Sequence, residues 1–441
     1  MSISPPGPVL PPVYTGRSSF LRTNRFLAAS ILCAAGRCEI HSSEDIYDSN
    51  GLMLWARRQP VAPALMARLA DRELLRPIEL CVTALDPVST LAMMASLDAL
   101  GARAPDFGLL LAPHREALLA LLGDLAFDPQ ELLLLSVLRF GERDRLTHSI
   151  AVAAVAVVAG QWLGLGEAEQ RRLLRAGLLH DVGLLYLPDE SAGSEAEFAR
   201  QRHPALGALC IRELTGCEPR IAELVANSHE RPNGRGFPRG LREPALDPAA
   251  QALGFAEAVS DHLSRIGMGA QRAAVCSRVV PGEFAPALVS GVIALARDPS
   301  IGPQRQAPVR GPADVGRALR QLHAVLSRVL VLLSMPFDEN DTVREAAALW
   351  LAEVDPLVRA LRYAGVEDAL AQGQEILPAD ALEHGELATL DEEIEHRMQC
   401  LRDAIEFRRS RDPQTADSRL VDGTLRLLES AASASAGAAR I

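Results

Sequence analysis

The stretch "EAEQRRLLRAGLLHDVG" (residues 167–183) decides the fold that this sequence predicts. Its leucines recur at helical spacing and its charged residues fall on the opposite face, as in a helix that buries one side. The pattern runs directly into His180 and Asp181, and Gly183 is a residue typical of the region just past a helix C-terminus. The stretch therefore predicts a helix whose end presents an imidazole and a carboxylate side by side.

Helical patterns of the same kind continue on both sides of this stretch. Hydrophobic residues make up 48% of the 441 residues and aromatic residues only 4%, so a core must consist mainly of Leu, Ala and Val. Strands prefer β-branched and aromatic residues, so this composition favours helix packing. One exception is "IYDSNGLMLWAR" (46–57), where apolar runs flank Asn50-Gly51 and predict a β-hairpin with a type I′ turn. We expect an all-α protein with a small N-terminal β-hairpin.

Proline- and glycine-rich stretches divide the predicted helices into regions. The predicted parts are a Pro-rich tail with a short helix (1–40), a mostly helical N-terminal domain with the hairpin (41–140), a central helical-bundle domain (141–298), a linker (299–314) and a C-terminal helical region (315–441). The apolar stretch 25–36 is short and follows a Pro-rich leader, so it predicts a buried helix rather than a signal peptide.

The charge and cysteine content restrict the partners of the chain. Its formal net charge is -11, it has no lysine, and it lacks a sustained basic stretch, which argues against a duplex nucleic-acid binder. No run reaches the about 18 to 20 apolar residues that a membrane span needs. The seven cysteines are scattered without C-x-x-C spacing, as in reduced thiols. We expect a cytoplasmic protein that can bind a small phosphorylated ligand, with flanking helices available to a protein partner.

Histidine and aspartate follow a suggestive order in the central region. They lie at helix ends or on helix faces: His148, His180, Asp181, His203 (before Pro204, a predicted helix start), His229 and Asp261. Imidazole and carboxylate together suit divalent ions such as Mn, Fe(II), Zn or Co. Such ions activate water and neutralise phosphoryl charge, which fits hydrolysis of a phosphate ester. Asp144, four residues before His148, is either a further ligand or an ordinary helix start.

These residues and their flanking motifs resemble the HD-GYP domain, a branch of the HD metal-dependent phosphohydrolase superfamily. The motifs are "LLHDVG" (178–183), "RHPALG" (202–207), "HERPNGRGFPRGL" (229–241) and "AVSDHLS" (258–264). The resemblance covers about residues 142–298. It implies a helical domain that binds two or three metals, often iron or manganese, and that in many members hydrolyses the bacterial messenger cyclic di-GMP.

The resemblance also implies roles for single positions. The ligands shared by the superfamily match His148, His180, Asp181 and Asp261, and the additional histidines of the HD-GYP branch match His203 and His229. Asp181 would be the bridging and catalytic carboxylate. The substrate loop of the family matches Asn233, Gly234, Arg235, Gly236, Phe237 and Pro238. Arg235 is either a phosphate contact or a solvated loop charge.

The chain departs from the family at several of these positions. Ser228 stands where members carry the first of two consecutive histidines, and Leu184 stands where they carry a phosphate-contacting lysine. Asn233 and Phe237 replace an aspartate and a tyrosine. Two hypotheses follow. The first is a signalling module of cyclic di-GMP type with impaired or absent hydrolysis, and the second is an active phosphodiesterase for cyclic di-GMP or a related ester. The expected cofactor is one or two Mn or Fe ions per chain, or none if the site has degenerated.

Overall fold

The computed structural model describes residues 16–70, 72–188, 194–265, 269–300, 312–334, 341–372, 381–411 and 418–438. Of these, 16–188, 199–265 and 284–291 form one compact unit, and the others form a second. Residues 1–15 of the predicted tail and 301–311 of the predicted linker lie outside the described residues. The division into five parts stays a prediction.

The N-terminal part of the first unit consists of short elements. They are α1 Arg25–Ala35, β1 Ile40–Ser42, β2 Ile46–Tyr47, β3 Met53–Trp55, α2 Pro63–Leu69, α3 Ile78–Cys81 and β4 Val82–Ala84. Strand β1 pairs antiparallel with β4, and β2 pairs antiparallel with β3. The α1 helix buries Leu27, Ile31 and Ala34. The predicted buried helix and the predicted hairpin are therefore both confirmed.

The hairpin turn differs from the predicted type I′ turn. The Asp48 amide donates to the Leu52 carbonyl at 3.0 Å, which leaves a three-residue loop. Gly51 takes the left-handed conformation in it, with φ of +81°. The Asp48 carboxylate accepts from the amides of Asn50 and Leu52 at 3.0 and 2.9 Å. This local side-chain acceptor favours the longer loop, and the Asn-Gly pair alone does not reveal it.

Helices make up the rest of the first unit, and they confirm the all-α fold class. They are α4 Thr90–Arg103, α5 Pro105–Leu111, α6 Arg115–Gly123, α7 Pro129–Phe140, α8 Leu146–Trp162, α9 Glu167–Leu179, α10 Ser194–Leu214, α11 Pro219–Ala226 and α12 Pro248–Leu263; residues 194–198 of α10 belong to the second unit. Helix α8 packs against α9 and α12, and every residue from 149 to 160 is buried. A helix that is apolar all round is expected at the centre of a core.

Glycines allow the segments around α9 to approach their neighbours closely. A Cβ at Gly177 would lie 2.5 Å from the Ala153 Cα on α8. A Cβ at Gly183, in the 3-10 helix Val182–Tyr186 that follows α9, would lie 2.0 Å from the His203 carbonyl oxygen on α10. Both distances are far below van der Waals contact, so only glycine fits this packing. The end of α9 is thereby held directly against α8 and α10.

The second unit is also helical. Its helices are α13 Gly269–Val279, α15 Pro312–Ser334, α16 Asp341–Tyr363, α17 Val366–Ala371, α18 Ala381–Arg411 and α19 Arg419–Ala438; α14 (Pro286–Ala296) contributes residues to both units. Leu319, Leu326, Val354 and Ile394 are fully buried in its core. Within the described residues, no helix is long and apolar enough to cross a membrane. A protein partner on the flanking helices stays a prediction.

A buried carboxylate connects the N-terminal elements to the 3-10 helix that follows α9. Glu79 in α3 is 2% exposed, and its Oε1 accepts a hydrogen bond from the Tyr186 hydroxyl at 2.8 Å. Burial raises the pKa of Glu79 from 4.5 to about 7, and the Tyr186 hydrogen bond opposes this shift only in part. The folded state therefore holds a proton over a pH range in which the unfolded chain has released it.

This proton makes the stability of the first unit depend on pH. Between about pH 4.5 and pH 7 the folded state binds more protons, so the free energy of unfolding falls as pH rises, by about 3 kcal/mol in total. We expect Glu79→Gln to remove this component. Denaturant unfolding of both proteins at about pH 5 and about pH 8 measures it as the difference in pH dependence. Equal pH dependence in the two proteins would show that Glu79 is ionised throughout.

Candidate metal centre

The structure brings most of the predicted site residues to one place. His148 is the third residue of α8, and His180 and Asp181 directly follow α9. His203 lies within α10, which begins at Ser194 and continues through Pro204, so the prediction of a helix start at Pro204 is wrong. His229 lies in the turn that directly follows α11. The four imidazoles lie around a cluster of carboxylates to which Asp181 belongs.

The carboxylate that α12 places in this cluster is Glu257, which the sequence reasoning missed. Its Oε2 lies 2.9 Å from His180 Nε2 and 3.3 Å from His148 Nε2, and its Oε1 lies 3.8 Å from His229 Nε2. The predicted residue, Asp261, contacts only the His148 ring among these histidines, and its side chain is 69% exposed. The two acids are one helical turn apart on the same face, so spacing alone cannot distinguish them.

Asp261 instead completes the surroundings of His148. Its Oδ1 lies 2.9 Å from His148 Nδ1, while Nε2 of the same ring faces Glu257. A carboxylate on one ring nitrogen that leaves the other for an ion is the usual arrangement around metal-binding histidines. Burial lowers the pKa of His148, but Glu257, Asp261 and Asp181 together raise it to about 12. The cluster therefore has an excess of negative charge that requires a proton or a cation.

His180 shows most directly where a cation would fit. Its Nδ1 lies 2.7 Å from the Gly177 carbonyl oxygen, which can only accept, so Nδ1 carries the hydrogen. The other ring nitrogen, Nε2, faces Asp181 Oδ1 at 3.3 Å and Glu257 Oε2 at 2.9 Å. Burial lowers the pKa of His180, but Asp181 and Glu257 raise it above its usual value, so Nε2 requires either a proton or a cation between it and the two carboxylates.

The ligand atoms are spaced as one ion requires. One nitrogen each from His148 and His180 and one oxygen from Glu257 all lie within 4.8 Å of one another. Bonds of about 2.0 to 2.2 Å to a shared divalent ion require separations of this order. The residues present therefore fit a divalent metal.

A second pair of histidines lies on the other side of the carboxylates. The rings of His203 and His229 are 4.8 Å apart and nearly perpendicular. His203 Nε2 lies 3.6 Å from Asp181 Oδ1, so this one oxygen faces both His180 and His203. Burial holds the pKa of His229 well below its usual value, although Glu257 opposes the shift, and this favours the neutral imidazole that can bind a metal. Asp181 and Glu257 thus lie between two pairs of imidazoles.

The glycine-rich loop after His229 folds back over that histidine. The Phe237 ring stacks on the His229 ring at 4.5 Å, and its amide donates to the His229 carbonyl oxygen at 3.1 Å. Gly236 packs so closely that a Cβ would lie 2.3 Å from that same oxygen. Buried Glu230, which sequence reasoning also missed, accepts from the amides of Arg239 and Leu241 at 2.7 and 2.8 Å. The loop is therefore built as part of the site.

The structure shows the contacts of two residues that differ from the family, Ser228 and Leu184, and of Asp144. The Ser228 side chain is buried, and its hydroxyl donates to the Val225 carbonyl oxygen at 3.0 Å. Leu184 is buried in the 3-10 helix after Asp181. Asp144 accepts from the Thr147 amide at 3.2 Å and pairs with Arg139, so it belongs to the start of α8 rather than to the cluster.

Comparison with known proteins agrees with this geometry. Residues 129–274 match the family model of the HD domain. Cyclic di-GMP phosphodiesterase PA4108 of Pseudomonas aeruginosa is 31% identical over 126 residues, 27% of this chain and 30% of that protein. The 3'3'-cGAMP-specific phosphodiesterase 1 of Vibrio cholerae is 32% identical over 116 residues, 25% of this chain and 27% of that protein. The cyclic di-GMP phosphodiesterase response regulator RpfG of Xanthomonas campestris is 29% identical over 131 residues, 27% and 32% of the two chains.

The matched segment therefore defines the class of this domain. Residues 129–274 form an HD domain, and HD domains are metal-dependent phosphohydrolases. The similarity of this segment to phosphodiesterases of cyclic dinucleotides confirms the resemblance found in the sequence. The chain spans about a third or less of the length of the curated relatives that it matches.

Proposed function

We propose that this domain is a metal-binding signalling module that recognises a cyclic dinucleotide, or a related phosphorylated small molecule, and hydrolyses it poorly or not at all. The observation that carries the proposal is an asymmetry between the two halves of the cluster. The half around His180 has a complete set of nitrogen and oxygen ligands. The half around His229 has serine at position 228, where the family supplies another imidazole.

In this proposal one divalent ion, Mn or Fe, is held by His148, His180, Asp181 and Glu257. Glu257 takes the place that the sequence had indicated for Asp261, and Asp261 orients His148 through Nδ1. Two imidazoles and two carboxylates form a ligand set that suits these ions. When bound, such an ion lowers the pKa of water and neutralises charge on a phosphoryl group.

The half of the cluster around His229 provides fewer ligands for an ion than the half around His180. His203 and His229 face Asp181 and Glu257 there, at 3.6 and 3.8 Å respectively. The Ser228 hydroxyl is engaged with Val225. Hydrolysis by a pair of metals depends on a clamp around both the attacking and the leaving oxygen. A missing imidazole weakens one side of that clamp, and Leu184 provides no cation for phosphate.

Ligand recognition is assigned to the loop from Asn233 to Pro238. Asn233 Oδ1 accepts from the Arg235 amide at 3.0 Å, and Gly234 has a left-handed φ of +77°, so the turn is defined by its own residues. The relatives described above are phosphodiesterases of cyclic di-GMP and 3'3'-cGAMP, and both ligands are compact dianions. Arg235 is the loop cation that we propose as a phosphate contact.

An active phosphodiesterase is the second candidate, and the buried pair of His203 and His229 favours it. Both rings lie against the two carboxylates that a second ion would share. If water or a backbone group substitutes for the absent imidazole, two ions would bind and hydrolysis would follow. Metal stoichiometry and turnover distinguish the two candidates.

The test uses full-length protein reconstituted anaerobically with Mn(II) or Fe(II). We expect about one metal per chain, ligand binding in calorimetry, and little or no linear product from cyclic di-GMP or 3'3'-cGAMP. Ser228→His tests the cause, since it should raise the metal count and turnover together. Two metals and rapid turnover in the unaltered chain, lost in Asp181→Ala, would instead establish the active enzyme.

A further inference from the structure

Tyr186 is held by three residues that precede the HD domain. The Glu79 carboxylate accepts from its hydroxyl at 2.8 Å, and the Asn24 side-chain amide donates to its carbonyl oxygen at 2.9 Å. The Phe20 ring meets the Tyr186 ring edge-on, with centroids 5.6 Å apart. The N-terminal segment thus contacts the hydroxyl, the ring and the backbone of one residue.

Tyr186 is also the last residue of the 3-10 helix that begins directly after Asp181. The Leu184 amide donates to the Asp181 carbonyl oxygen at 2.9 Å, which ties the helix to that residue. At Gly183 the same helix lies so close to the His203 carbonyl oxygen that no Cβ fits. The 3-10 helix thus connects Tyr186 both to Asp181 and to the backbone of His203.

The same hydroxyl also contacts the helix that carries His203. Tyr186 Oη lies 3.3 Å from Cys210 Sγ on α10. Burial raises the pKa of the Cys210 thiol, so the thiol stays protonated and can donate. A chain of donors then runs from Cys210 through Tyr186 to Glu79. These hydrogen bonds connect α3 to the 3-10 helix that follows Asp181 and to α10, which carries His203.

A purely structural role does not explain the Glu79 carboxylate, because its burial lowers the stability of the fold. It is 2% exposed, and among the described residues it has no ion-pair partner; its Oε2 also has no hydrogen-bond partner. A buried carboxyl group without a cation destabilises a core relative to an apolar side chain of similar size. Its geometry is explained if the group is retained to hold Tyr186 in one place.

We propose that Glu79 and Tyr186 are positioning residues through which the N-terminal segment sets the placement of Asp181 and His203, and so regulates the metal affinity of the site. The inference rests on the proposed metal binding. It goes beyond that function because it assigns the N-terminal segment, which precedes the residues that match the HD family, a regulatory role. A change in the N-terminal segment that releases Tyr186 would lower metal occupancy without touching a ligand.

The experiment compares Tyr186→Phe, Glu79→Gln and the double variant in the full chain. Tyr47→Phe and Glu73→Gln are matched controls, because both residues are exposed and lie in the same segment. We measure Mn(II) affinity, the absorption spectrum of the Co(II)-loaded protein and amide exchange of the metal-free protein. We expect Tyr186→Phe to weaken Mn(II) binding by about fivefold or more, to shift the Co(II) bands and to accelerate exchange over 180–187. The double variant should be no worse than Tyr186→Phe, since both changes break one path.

The inference is overturned if Tyr186→Phe lowers the unfolding temperature but leaves Mn(II) affinity and the Co(II) spectrum unchanged. Additive effects of the two substitutions would also overturn it, because they would show independent contributions. Absence of metal binding in the unaltered chain would refute the proposed function, and the inference with it. That outcome is recognised before any variant is compared, so the two failures are distinguishable.

Discussion

Glu257→Gln is expected to abolish metal binding at the cluster, with a loss of affinity of at least about 100-fold. Glu257 is the only residue whose carboxylate approaches His148, His180 and His229 within 4.0 Å in the described structure. Glutamine keeps the shape but removes the charge that balances a cation among buried imidazoles. A 100-fold loss of affinity corresponds to about 2.8 kcal/mol of binding free energy.

Asp261→Asn is the matched comparison, since it removes a carboxylate from the same face of the same helix. We expect it to weaken metal binding by only about tenfold, because Asp261 orients His148 rather than facing the ion. Titration with Mn(II), followed by competition with a chelator, gives both affinities. If Asp261→Asn proved the more damaging substitution, the assignment of Asp261 made from the sequence would be right and ours from the geometry wrong.

Gly183→Ala is expected to destabilise the first unit by about 3 kcal/mol. The added methyl group would lie 2.0 Å from the His203 carbonyl oxygen and 2.7 Å from the Gly207 amide nitrogen, and both atoms are backbone. Neither atom can move unless α10 moves away from the end of α9. Such a movement would carry His203 away from Asp181, so we also expect weaker metal binding.

Gly123→Ala provides the control for this substitution. Gly123 ends α6, and a Cβ there would meet only the terminal carbon of Met94, at an ordinary contact distance of 3.6 Å. Because alanine favours helix, the change should be neutral or slightly stabilising. Thermal unfolding of the two variants measures the difference. A Gly183→Ala protein as stable as Gly123→Ala would mean that α10 tolerates a wider separation.

The helical architecture could be predicted because it is encoded locally. The periodicity of residues 167–179 and the Asn-Gly pair at 50–51 each specify an element without reference to distant parts of the chain. The start of α10 could not be predicted in this way. Pro204 is typical of a first helical turn, but the structure places it in a helix interior, and only tertiary packing decides between these positions.

The site was predictable to the extent that its residues belong to recognisable motifs. His148, His180, Asp181, His203 and His229 were found in this way, and the structure brings them together. Glu257 was not found, because two acids one turn apart are equivalent until the helix is packed. Glu230 and Glu79 were missed for a related reason. Their roles depend on amides and a hydroxyl that approach them from other segments.

The burial of α8 on every side has a consequence for motion. We expect the backbone amides from 150 to 160 to be among the slowest of the first unit to exchange with solvent, because the residues that carry them are buried. His148 lies in the first turn of this buried helix. Asp181 and His229 lie in turns just beyond α9 and α11, whereas His203 lies in the interior of α10. We therefore expect the centre to adjust at Asp181 and His229, while His148 on α8 keeps its position.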